Sequence, residues 1–368
     1  MKYFKEHKKF VILYSILVLI SFLTIIFTFN NHKYYKEPIA IITSIEEKYI
    51  STETITFGYS EDIYEQSITA IIQNGIDKGK EITIKNEYHK GEAYETKYKE
   101  NDEIFVSLNK RDDKIINAHI EGYKRDKYVV IITISLILII VLVGKLKGFL
   151  SIVSVIINIV LFNCLVFLNT KGINLALLCF IGAIIFNIIC LTLVSGLNKK
   201  TLSAIISSIL SISITMLISI VVINITNYDG IRFEQMELLT RPYQGIFLSE
   251  IILGGLGAIM DISITISSSL NELIEKNNKI SIKALAKSGI EIGRDVTGTM
   301  INVLFFTYIC GILPNMTIYF RNGIEIGSLL NEYISLEMTR ALTGAIGIVL
   351  TIPIAIAISL LIYKRRLK

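Results

Sequence analysis

The feature that most constrains this chain is a succession of eight apolar stretches: Val11–Phe29, Tyr128–Val143, Phe149–Leu168, Ile173–Leu193, Leu202–Ile225, Tyr243–Ser267, Val296–Leu313 and Met338–Tyr363. A hydrocarbon core of roughly 30 Å takes a helix of about 20 apolar residues, and inside it every backbone N–H and C=O has to be paired within the protein. The expected fold class is therefore an α-helical integral membrane protein with about eight transmembrane helices. At 52% hydrophobic residues and a mean hydropathy of +0.57 over 368 residues, the chain is too apolar for an ordinary soluble domain.

Charge then sets orientation. The net +5 is spread in a way that argues against nucleic acid as a partner. With the N-terminus inside, seventeen Lys and Arg fall in cytoplasmic tails and loops: Lys2, Lys5, Lys8, Lys9, Lys145, Lys147, Lys199, Lys200, Lys276, Lys279, Lys283, Lys287, Arg294, Lys364, Arg365, Arg366 and Lys368. Only Lys171, Arg232, Arg241, Arg321 and Arg340 fall in the short external loops. This positive-inside bias orients all eight spans with both termini cytoplasmic. The first stretch follows a basic segment, MKYFKEHKK, but runs for nineteen residues into TFNNHKYYKEP with no A-x-A-like site, which favours an uncleaved anchor over a signal peptide. Tyr128, Tyr243 and Tyr363 stand at span ends as interfacial aromatics, since there is no Trp. Cys164, Cys179, Cys190 and Cys310 lie in or beside apolar stretches without CxxC spacing and read as packing residues, not as a disulfide or metal set.

Three parts follow: residues 1–29, a basic tail and anchor; residues 30–127, an extracytoplasmic domain; and residues 128–368, a seven-helix membrane domain with a basic C-terminus. The middle part carries fifteen Lys/Arg and nineteen Asp/Glu. Alternation in KEITIKNEY, DEIFVSLN and IINAHIEGY predicts short strands with one buried face, separated by the turn-prone NGIDKG and NKRDDK. A small barrel-like β domain is expected, of a size able to hold its own core. Of the longer connections, Thr226–Pro242 has enough apolar residues to lie along an interface, and Pro314–Glu337 is an external loop. In Asn271–Asp295, the spacing of Ile282, Leu285, Ala286 and Gly289 predicts a short interfacial helix attracted to anionic lipid.

Within the sixth stretch stand two acids, Glu250 and Asp261. Their spacing of eleven residues is close to three helical turns, so they share a face with Gly254 and Gly257, and the face continues through Thr265, Ser268 and Glu272. Charges in a bilayer interior are expensive and usually face protein or water. Two readings stay open. In one, the glycines serve close packing and the acids pair with Arg294 or another buried donor; in the other, the face lines a hydrated path on which the acids bind or relay a cation or proton. Transport requires this face to be enclosed by neighbouring helices. In GRDVTGTMINVLFF, Asp295 suits the N-cap of the seventh span, Arg294 sits at the cytoplasmic rim, and Gly298 and Asn302 extend a polar face that favours interhelical hydrogen bonding. Ser203, Ser207, Ser211, Thr215 and Ser219 recur every fourth residue in the fifth span, a packing signature more than a pore lining. Asn158, Asn163, Asn187 and Asn224 read as interhelical glue. Gly344, Gly347 and Pro353 in the last span permit a kink.

The runs GGLGAIMDISITISSSLNEL and ALAKSGIEIGRDVTGTMINVLFFTYICGILP, with KGFLSIVSVIINIVLF, resemble the YibE/F family of bacterial multi-spanning membrane proteins over roughly Tyr128 to Tyr363, preceded by an external domain of that family's kind. The resemblance implies a topology and brings no reaction and no catalytic positions. Two function classes compete. One is a transporter or permease-like protein moving a small solute or ion, coupled to protons or cations through Asp261. The other is a receptor or accessory scaffold whose β domain engages envelope partners. An enzyme is not expected: His7, His32, His89 and His119 lie outside the core spans, there is no HExxH or GxxxxGK[ST], and Met260 stands where intramembrane aspartyl proteases have glycine before the aspartate. No cofactor or metal is implied. The partners implied are the lipid bilayer, a small solute or cation, and a homologous membrane protein or further copies of the chain.

Overall fold

In the computed structural model all residues are described except 1, 56–58, 92–95, 112–113, 229–230, 236–242, 278 and 364–368. Arg241, the end of the 226–242 connection and the basic C-terminus at 364–368 lie outside the described residues. The chain is mostly helical with one small antiparallel sheet, and it divides into two units, Met1–Leu146 and Lys147–Lys368.

The first unit begins with α1 (Lys2–Phe29), whose apolar window is almost wholly exposed. Five strands follow: β1 (Ile39–Ile55), β2 (Tyr59–Ile72), β3 (Glu81–His89), β4 (Glu103–Arg111) and β5 (Lys114–Tyr123). The sheet order is β3-β2-β1-β4-β5, all neighbours antiparallel, and the two edges β3 and β5 approach each other, so the sheet curls towards a barrel. Bulges in β1 beside Ile42 and Tyr49 let one long strand serve two partners, β2 along its length and β4 at Ile39–Ile41. Period-two alternation buries Ala40, Ile42, Ile68, Ala70, Ile82, Ile84, Ile104 and Val106 inside. The three strands expected from alternation are present as β3, β4 and β5.

At the base of this domain, where α1 ends and the next helix begins, Lys124 is fully buried. Its Nζ lies 2.8 Å from Asp126 Oδ1 and 3.0 Å from Glu103 Oε2. The other oxygen of Asp126 accepts hydrogen bonds from Asn31 Nδ2 (2.8 Å) and the Tyr35 hydroxyl (2.9 Å), and His32 Nε2 is 3.2 Å from Glu103. Burial raises the Glu103 carboxyl pKa, but the hydrogen bond and charge of Lys124, with Lys127 and His32, outweigh it and hold it below its ordinary value. Burial lowers the Lys124 pKa, and the two carboxylates more than reverse that. One buried ammonium thus ties the chain leaving α1, strand β4 and the start of the following helix together.

Helix α2 (Asp126–Thr170) runs through 45 residues, interrupted at Lys145 (φ 49°, ψ −132°). The second and third apolar stretches are therefore one helical run with a break, and among the described residues there are seven long apolar helices where eight spans were expected. The remaining helices are α3 (Leu175–Ser195), α4 (Lys199–Ile225), α5 (Tyr243–Lys276), α6 (Ile282–Arg321), the short α7 (Ile326–Ser328) and α8 (Ser335–Tyr363). Asn174, Asn198 and Ser281 cap α3, α4 and α6 through side-chain oxygens.

Two expectations change here. The segment predicted as a separate interfacial helix is the first three turns of α6, because Leu285 and Gly289 are buried against Leu270 and Ile356 and α6 continues unbroken from Ser281. Helix α6 also continues through Pro314 to Arg321, so the external connection starts later than expected. In the second unit α5 is central, in contact with α3, α4, α6 and α8, and α8 also packs on α4 and α6.

Candidate functional site

The polar residues of the second unit divide into a buried seam and an outward face. The seam begins in α4, where Ser203, Ser207, Ser211, Thr215 and Ser219 are all buried on the face towards α5 and α8. Ser207, Ser211, Thr215 and Ser219 each donate to the carbonyl four residues earlier, at 2.7–2.8 Å, which satisfies the hydroxyls without a partner helix. Ser203 instead meets Ser359 of α8 at 2.8 Å and Ser267 of α5 at 3.2 Å, a hydroxyl triangle joining three helices. Asn187 of α3 donates to Ser208 of α4, the interhelical role expected of it. The seam is packed tight: a gap of about 10 Å³ lies among Ile212, Thr215, Ile259 and Gly344, barely room for one water.

Small residues set the helix spacing, and of the two glycines the spacing singled out on α5 only Gly254 is among them. A Cβ at Gly255 would lie 3.6 Å from the Gly344 Cα, so α5 and α8 touch backbone to backbone there. Gly293 sits under Ile352 and Gly289 under Ile356, seating α6 on α8. Gly254 faces the Tyr308 hydroxyl of α6, whereas a Cβ at Gly257 would meet nothing.

Glu250 is held by Arg340 of α8, and Arg340 also pairs with Glu337 and lies 5.5 Å from the centre of the Phe247 ring. Arg340 is 10% exposed and Glu250 40%. Arg294, the sequence candidate for this role, is exposed on α6 and pairs with neither acid. Asp295 is not a cap: Ser281 caps α6, and Asp295 is an exposed residue well inside the helix. Asn302 and Gly298 are exposed as well.

The expectation of an enclosed acidic face is corrected. The shared helical face is real, but beyond Gly254, which sits against Tyr308 of α6, it points outward: Gly257, Asp261 and Glu272 are exposed and Thr265 and Ser268 are half-buried, while Ile259, Ile262, Ser263, Ile266 and Ser267 take the inner positions. Ile259, Ile262 and Ile266 hold that side inward because they bury the most apolar area, and Ser263 and Ser267 lie on the same side. Asp261 stands 18 residues from the start of α5 and 15 from its end, about 27 and 22 Å at the usual helical rise. No described residue forms an ion pair with it.

Sequence reasoning missed Arg340 and Glu337, whose i,i+3 spacing at the head of an apolar run was the available signal. It also missed Ser267 and Ser359, lone hydroxyls in apolar runs whose partners come from distant helices.

The family model described as YibE/F-like protein matches residues 132–365, and the model described as YibE/F family N-terminal domain matches residues 33–123. No curated protein and no solved structure matches the chain.

Proposed function

The chain belongs to the YibE/F family, and from that premise we propose that it is a multi-pass protein of the bacterial plasma membrane, permease-like, that moves a small solute or ion with proton or cation coupling through Asp261. Seven apolar helices support membrane residence. The two segments of α2 on either side of Lys145, residues 126–144 and 146–170, are about 28 and 38 Å long at the usual rise, each close to or above one crossing of a roughly 30 Å core. Eight crossings keep both termini cytoplasmic and residues 30–127 outside, the orientation the basic residues favour.

The observation that carries the transport reading is Asp261: an exposed carboxylate midway along an apolar helix. Facing acyl chains it costs at least ~2.5–3.5 kcal/mol, so it is read as facing water, a cation or a protein partner. The tight α4–α5–α8 seam argues against a path through the interior of one copy, and the path is placed along the outer α5 face, closed by whatever covers it. In this reading the chain is not an enzyme and takes no cofactor.

The test is flux into proteoliposomes holding the purified full chain, across protons, monovalent and divalent cations and small metabolites. The expected result is a flux that Asp261→Asn lowers at least about tenfold, one protonation-competent group being lost, while the unfolding midpoint is unchanged. Folded protein with no Asp261-dependent flux overturns the reading. The alternative, a receptor or accessory scaffold, is favoured by one observation, the buried Lys124 cluster that ties the β domain to α1 and α2. It predicts that deleting residues 30–125 abolishes activity.

A further inference from the structure

We propose that the outward face of α5 is the docking surface for α6 of a second copy of this chain, with Asp261 of one copy set against Arg294 and Asn302 of the next. The inference rests on the membrane reading above and names the partner that closes the Asp261 face.

The argument starts from depth. Helices α5 and α6 are antiparallel neighbours in one chain, and two contacts fix their register: Gly254 with Tyr308, and Leu270 with Gly289. Counting along both helices at the usual rise, Asp261 is level with residues 299–300 of α6. Asn302 is then about 4 Å nearer one membrane surface and Arg294 about 8 Å nearer the other, within reach of its long side chain. Within one copy these groups do not meet, because α6 turns Gly289, Gly293 and Leu304 towards α8 and leaves Arg294, Gly298 and Asn302 outside. Copies in one membrane share their depth, so the outward acid of one copy and the outward donors of its neighbour come to the same level.

Shape and charge agree. Gly257 on α5 and Gly298 on α6 are both exposed with open space at their Cβ positions, which lets two helix backbones approach. A two-fold α5–α5 contact would instead place Asp261 against its own copy, like against like. An α5–α6 contact is heterologous, so it builds a ring or a row in which every copy gives one face and takes the other.

The experiment uses the full chain with Cys164, Cys179, Cys190 and Cys310 replaced by serine. Gly257→Cys and Gly298→Cys are placed in two differently tagged copies, co-expressed and oxidised in the membrane. Both positions have room for the new side chain. The expected product is a mixed-tag dimer. Asp261→Arg or Arg294→Asp alone lowers its yield at least about tenfold, and the two together restore it, as charge complementarity requires. Asp261→Asn covers the case in which a charge reversal fails to fold, and lowers the yield with the melting point kept. A band between two Gly257→Cys copies, or no intermolecular band, each overturns the proposal. Flux without the mixed dimer leaves the transport reading standing and removes this one, and the dimer without flux does the reverse.

Discussion

The charges of this chain differ in how they are neutralised, and each manner has its own test. Arg340 lies between Glu250 and Glu337 and is nearly enclosed. Arg340→Ala leaves two carboxylates without a counter-ion and is expected to cost about 2–3 kcal/mol, below the cost of a fully buried pair because Glu250 is partly exposed. The shift of the denaturant midpoint measures it, and an unchanged midpoint would show the pair to be idle. Lys124 predicts a pH profile. Glu103 has a depressed pKa when folded, so its contribution is complete above about pH 4.5 and is lost as pH falls through the lower folded value. Lys124 is raised, so its contribution is complete below about pH 10.5 and is lost as pH rises through the folded value. The protection of the β4 and β5 amides relative to their intrinsic exchange rates should be flat between those limits and fall beyond each. Glu103→Gln should remove most of the acid-side change.

At the scale of elements, the helices meet through hydroxyls and missing side chains. A Cβ at Gly344 would strike Leu304, so Gly344→Val should separate α8 from α6 and cost about 1–3 kcal/mol by overpacking. Gly257→Val adds bulk where the structure is open and should leave the melting point of the isolated chain in place. A matched loss in both would contradict the division into inner and outer glycines. The Ser203–Ser267–Ser359 triangle is worth less: Ser359→Ala is expected to cost about 0.6 kcal/mol, the usual size of an interhelical hydrogen bond among apolar helices. Periodicity made these elements legible, since a serine every fourth residue in α4 must share a face. Which of the neighbouring glycines in GGLG would touch another backbone was not legible, because Gly254 and Gly255 differ by a 100° rotation and only the position of α8 chooses between them.

For the whole molecule, the membrane reading makes a directional prediction. In a cysteine-free background, Ile76→Cys, at a 96% exposed turn position of the β domain, should react with a membrane-impermeant maleimide in intact cells. Lys200→Cys, at the first turn of α4, should react only after permeabilisation. The opposite pattern would invert the topology drawn from the basic residues.

Composition and periodicity by themselves determined the class of this protein: long apolar helices, an alternating β domain in their midst, and an acidic face on α5. These are local properties, set by hydrophobic content and by the repeat of helix or strand. Which way that face turns was decided by the tertiary structure alone. Packing four helices around α5 consumed its aliphatic positions and left Asp261 outside, and no local rule specifies which neighbours a helix will have.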